Sequence, residues 1–192
     1  MNSKNGFIKS TLTLMSGSII AQLLAICVSP VMTRIYSTSA IGEYTLVLTA
    51  ASMFGSVICL RYDMSIVPEE DEKKVFSLIK AAFLITIIMS TLVSVGYSLY
   101  CFYKSNIDML PIAICFWVFV ILLFTGMGNI LIAYNNRYKE YRLMTSVNVV
   151  REVGRDISLV VLGMLNLGTI GLLISQVLSV FLGLNRQAKR LK

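Results

Sequence analysis

Residues 157–185 read ISLVVLGMLNLGTIGLLISQVLSVFLGLN, without a single charge. The stretch is too long for an ordinary membrane span of about 20 residues, and it holds either one long helix or parts of two. Within it, Asn166-Leu-Gly168-Thr169 reads as a tight turn, glycine stopping one helix and threonine capping the next. Four uncharged stretches precede it, at 10–33, 44–60, 81–103 and 109–136. Charge bias chooses between five and six spans. With six spans and a cytoplasmic N-terminus, the inner side receives Lys4 and Lys9; Arg61, Lys73, Lys74 and Lys80; Arg137, Lys139 and Arg142; and Arg186, Lys189, Arg190 and Lys192. The outer side receives only Arg34 and Lys104. Five spans would strand the basic C-terminal tail outside, against the positive-inside rule. The expectation is therefore an all-α integral membrane protein, one transmembrane domain over 1–192, with about six helices at 11–33, 41–60, 76–101, 109–134, 144–165 and 169–185. Both termini are cytoplasmic in this reading.

Composition agrees. The 192 residues are 56% hydrophobic and only 14% charged, with a mean hydropathy of +0.77. Soluble domains average about 25% charged residues, so this much apolar surface asks for a lipid solvent. The net charge of +7 sits in short patches between apolar runs, which is topology and not a nucleic-acid surface. There is no histidine, which removes the commonest general base and metal ligand. Cys27, Cys59, Cys101 and Cys115 lie in or beside apolar runs without CxxC spacing, and read as small buried hydrophobes. No nucleophile–base pair, phosphate loop or metal motif is present. The reading is a non-enzyme with no catalytic residue, no metal and no cofactor.

Smaller signals place the helix ends and contacts. Pro68 before Glu69, Glu70, Asp71 and Glu72 reads as a helix start. Pro111 can open a helix, and Pro30 should kink or end the first one. Gly17, Ala21 and Ala25 on helix one, and Ala51 and Gly55 on helix two, are spaced for close helix contact. Gln22, Asn129 and Gln176 read as polar glue between helices.

The fifth span carries the chemistry: Thr145-Ser-Val-Asn148-Val-Val-Arg151-Glu152-Val-Gly-Arg155-Asp156. At 100° per residue, Thr145, Asn148, Arg151, Glu152, Arg155 and Asp156 share an arc of roughly 140°, and valine and isoleucine cover the rest. A spanning helix would place Arg151 to Asp156 roughly 8–15 Å deep, where each charge costs about 2.5–3.5 kcal/mol if it faces lipid. Arg151 and Arg155 repel at i,i+4, as do Glu152 and Asp156, so partners on other helices or a ligand are expected. Three readings stay open: a surface amphipathic helix, a structural ion-pair knot, or a cationic cavity for an anionic substrate, to which arginine's planar fork is suited. Arg34 and Arg61, at the ends of the first two spans, either snorkel beside interfacial tyrosines or rim the mouths of that cavity.

Four segments in order carry a family resemblance. Arg34-Ile-Tyr-Ser-Thr-Ser-Ala-Ile-Gly42-Glu-Tyr44, Leu60-Arg61-Tyr62-Asp63-Met-Ser-Ile66-Val67, Asn136-Arg137-Tyr138-Lys139-Glu140-Tyr141 and Gly168-Thr-Ile-Gly171-Leu-Leu-Ile-Ser-Gln176 resemble the polysaccharide and O-antigen (Wzx-like) flippases of the MOP exporter superfamily, N-terminal half only. The resemblance implies one lobe of a MOP/MATE-like two-lobe transporter in the bacterial inner membrane. Its substrate would be an undecaprenyl-pyrophosphate-linked oligosaccharide, flipped between leaflets for surface polysaccharide or O-antigen synthesis. The implied partners are this lipid-linked oligosaccharide, membrane lipid, a C-terminal lobe or a second copy, and other polysaccharide-assembly membrane proteins, with no nucleic acid. The alternatives are an ion-coupled small-molecule or multidrug exporter of the same superfamily, with Glu152 and Asp156 as carriers, or a truncated remnant without function.

Overall fold

The computed structural model describes residues 19–20, 22–69, 71–104, 111–138 and 141–188. Every regular element among them is helical. In chain order these are α1 (Gln22–Ile35), α2 (Thr38–Gly55), the short α3 (Tyr62–Ile66), α4 (Glu72–Lys104), α5 (Pro111–Arg137), α6 (Tyr141–Met164) and α7 (Gly168–Ala188). Three of them are long and apolar enough to cross a membrane, over Glu72–Tyr103, Ala113–Arg137 and Gly168–Gln187. α2 is shorter, with 18 residues. α6 has the length, with 24, but carries the ionic group. Of the first expected span, 11–33, residues 22–33 lie in α1, while 11–18 and 21, with Gly17 and Ala21 among them, lie outside the described residues.

Local chemistry sets the helix ends. Ser37 is extended and its hydroxyl accepts from the Ala40 amide at 3.3 Å, which starts α2 three residues before the expected 41. α4 begins at Glu72 and not at Pro68, because Asp71 is the cap: its carboxylate accepts from Lys73 N at 3.0 Å and its carbonyl from Val75 N at 3.0 Å. α1 runs through Pro30 to Ile35, so this proline does not end it. Between α6 and α7, Asn166 takes the left-handed conformation at φ 54. Leu167 N bonds Leu162 O at 3.4 Å and Asn166 N bonds Gly163 O at 2.9 Å, the paired closure of a Schellman end. Asparagine therefore stops α6, where Gly168 was expected to. Thr169 does not cap α7; its hydroxyl donates to Glu43 Oε2 of α2 at 2.6 Å.

α5 sits in the middle, touching α2, α3, α4, α6 and α7, while α6 lies along α7. Small residues make the close contacts. A Cβ on Gly126 would collide with Thr86 of α4 and reach Ile58 at 3.0 Å. Ala51 is buried, and a Cβ on Gly55 would meet Thr125 of α5 at 3.1 Å. Asn129 Nδ2 donates to Gly55 O at 2.9 Å, tying α5 to α2. Hydroxyls on the buried side of α4 turn to their own helix: Thr86 donates to Ala82 O at 2.7 Å, Ser90 to Ile87 O at 3.1 Å and Ser94 to Thr91 O at 2.9 Å. That satisfies them without water. Cys59 and Cys101 are buried, but Cys27 is exposed, because it lies on a face of α1 that no described helix covers. The outer surface is apolar: only 22% of the most apolar stretch of α4 is buried, and Leu84, Ile88, Leu92 and Leu99 are exposed. Patches of this size on a water-facing monomer are rare.

Candidate ionic site on α6

α6 is turned inside out relative to a helix in water. Its apolar residues Ile157, Val161 and Met164 are 60%, 52% and 74% exposed. On the wheel they lie nearly opposite Glu152 and Arg155. The ionic side points toward α2 and α7, where Leu159 and Gly163 are also buried.

The α6–α7 contact positions the charges. Ser179 donates to the Arg151 carbonyl at 2.8 Å. A Cβ on Gly154 would lie 2.6 Å from Leu182 Cδ1, and one on Gly183 would lie 2.5 Å from Arg151 Cδ and 2.7 Å from its Cγ. Bare glycine backbone therefore gives the Arg151 stem a bed on α7. At the other end of α6, Tyr36 donates to the Leu159 carbonyl at 2.8 Å and packs on Gly163. Burial pushes its phenol above the ordinary 10.0, so the hydroxyl stays a donor.

Within the cluster, Arg155 takes both acids. Its guanidinium lies 2.6 Å from Glu152 Oε2, and its Nε and terminal nitrogen each lie 3.3 Å from Asp156 Oδ1. The Glu152–Arg155–Asp156 triad thus carries one excess negative charge. Asp156 is the most enclosed member, its side chain 9% exposed, and its Oδ2 is buried without a hydrogen-bond partner among the described residues. It lines one side of an apolar groove of about 380 Å³ between α1 and α6, with Leu24, Val28, Val153 and Val160. Arg151 is half-buried and forms no ion pair among the described residues. The cluster is therefore split into an anionic triad and a separate cation. That split is one an incoming anion can complete at Arg151.

Two residues unremarked as site members tie α2 to α7, one beside the cluster and one at the start of α7. Tyr44 of α2 is buried, within electrostatic reach of Arg155, Glu152 and Asp156, and donates to Gln176 Oε1 of α7 at 3.3 Å. Glu43 holds Thr169, as above. Their only sequence signal is a polar residue inside an apolar run, which does not say which helix it meets. Of the expected arc, Asn148 is exposed. The structure brings Arg151, Glu152, Arg155 and Asp156 together on one helix. It leaves Arg34 and Arg61 exposed, with no ion pair to the α6 carboxylates. Arg34 ends α1 near the Gly163 level, about 12 Å along α6 from Arg155. Arg61 precedes α3 with φ 63, directly after Leu60 at φ 46, a left-handed pair uncommon outside glycine. Comparison with known protein families, with curated proteins and with solved structures finds no match.

Proposed function

We propose that this chain is one lobe of a membrane transporter, crossing the bilayer six times with both termini cytoplasmic, and that it helps move a lipid-linked oligosaccharide pyrophosphate between leaflets of a bacterial inner membrane. The observation that carries the reading is Arg151: a half-buried arginine, bedded on Gly183 and without an ion pair among the described residues. An unpaired cation at this depth is costly, and a phosphate group offers the planar guanidinium two oxygens at once. Arg155 is engaged by Glu152 and Asp156, which leaves Arg151 as the cation of the cluster that meets the phosphate. Full transport by alternating access needs a second lobe or a second copy around the site. The four sequence segments quoted above support the substrate class.

The test is surface polysaccharide output in cells that depend on this chain. Arg151→Gln is expected to lower output at least tenfold with the protein still present in the membrane, since a charge-assisted contact contributes about 1.5–3 kcal/mol. Arg151→Lys is expected to restore part of it. Undiminished output with both Arg151→Gln and Arg155→Gln would overturn the proposal.

A second reading rests on the unpartnered Asp156 Oδ2. In an ion-coupled small-molecule exporter, Asp156→Asn abolishes export while the arginine substitutions are tolerated, the reverse of the pattern above.

A further inference from the structure

A groove of about 530 Å³ runs between α4, α5 and α7, on a face that the α6 cluster does not use. Its volume lies within the roughly 300–1,000 Å³ of small-ligand sites. Leu131 and Leu184 are buried in its floor, and Phe124 and Met127 are partly buried beside them. Phe83 and Phe181 are exposed along its walls. Phe124 and Phe181 meet edge to face at 6.3 Å, which fixes the wall's shape.

The polar members are at one end. Lys80 and Asn185 complete the lining, and Lys80 Nζ lies 4.9 Å from the Phe76 ring centroid. No carboxylate pairs with Lys80 among the described residues. Arg186 follows Asn185, and Lys73 and Lys74 lie two turns before Lys80 on α4; the acids nearby are Asp71 and Glu72 at the start of that helix. The groove therefore has a long aromatic and aliphatic body with a cation and an amide at one mouth. That division matches a molecule with an acyl chain and an anionic head.

We infer that this groove holds an anionic phospholipid of the cytoplasmic leaflet, one acyl chain lying along Phe83, Phe124 and Phe181 and the phosphate on Lys80 and Asn185. Basic pockets between spans on the cytoplasmic side take acidic headgroups in this way. The site rests on the membrane topology proposed above but is separate from the transport cluster. A protein surface seated here, whether another lobe or a second copy, gives no reason for a lysine at one end that has no carboxylate partner among the described residues.

Fluorescence quenching in vesicles tests it. The single tryptophan is removed by Trp117→Phe and a reporter is placed at Phe181→Trp, with Phe83→Trp as an independent reporter on the opposite wall and Leu92→Trp as a control on the exposed face of α4. Vesicles of phosphatidylcholine contain either dibrominated phosphatidylglycerol or dibrominated phosphatidylcholine. Both groove reporters are expected to favour the brominated phosphatidylglycerol by about fivefold, the scale of one lysine at an anionic surface. Lys80→Gln is expected to bring the ratio to about 1, the value expected at Leu92→Trp throughout. Equal quenching by the two lipids in the groove, or a preference that survives Lys80→Gln, would overturn the site. Quenching at Leu92→Trp alone would mean that protein covers the groove, and would also overturn it. Absence of quenching at all three positions would overturn the membrane topology along with the site.

Discussion

Gly183 and Arg151 show how one missing side chain positions a charge. The Arg151 stem occupies the space where a Cβ on residue 183 would sit. Gly183→Ala is expected to destabilise the protein by about 1–3 kcal/mol, the usual cost of overpacking, read as a lowered Tm in detergent. In an Arg151→Ala background the same change is expected to cost below about 0.5 kcal/mol, since the clash is gone. Additive effects in that double-mutant cycle would contradict the contact. Little of this was legible in sequence. Gly183 is one of 12 glycines, and nothing in one dimension marks it as the seat of an arginine 32 positions away. The ionic residues themselves were legible, because charges at helical spacing inside an apolar chain are rare and costly.

At the scale of elements, the α6–α7 hairpin is clamped by the chain between α1 and α2. Tyr36 spans the gap, hydroxyl to the Leu159 carbonyl and ring on Gly163. Tyr36→Phe keeps the ring and removes the bond, so a loss of about 0.5–1.5 kcal/mol is expected, seen as a lower Tm with an unchanged helix signal. No shift in Tm would mean that the hydroxyl is not held at Leu159. Helix positions were largely readable, since apolar runs broken by charges set them. Their ends were less so. Asp71 in place of Pro68, and Asn166 in place of Gly168, each won by a side-chain or backbone hydrogen bond that composition alone does not rank. Cross-helix polar pairs such as Tyr44–Gln176 and Thr169–Glu43 were invisible for a different reason: they depend on which helices become neighbours.

For the whole molecule, the arrangement is apolar outside and ionic within. α4 presents an almost continuous apolar face, α6 presents isoleucine, valine and methionine outward with its charges turned in, and the buried hydroxyls of α4 bond to their own helix. Each feature fits a hydrocarbon solvent. The proposed transport cluster and the proposed lipid groove both depend on α6 and its neighbours crossing that solvent. A helix lying flat on the surface would bury the same apolar face, so accessibility alone does not separate the two cases. Depth does.

The most direct measurement is therefore the depth of spin labels along the exposed face of α6 in lipid vesicles. Labels are placed at Ser146, Ile157 and Met164, which share one face of α6, after Cys27, Cys59, Cys101 and Cys115 are replaced by alanine, and depth is read from the ratio of oxygen to water-soluble nickel-complex collisions. A crossing helix rises about 1.5 Å per residue, so over the expected span 144–165 Ile157 is expected about 10 Å deeper than both Ser146 and Met164. Equal, shallow depth at all three positions would make α6 a surface helix and contradict the account.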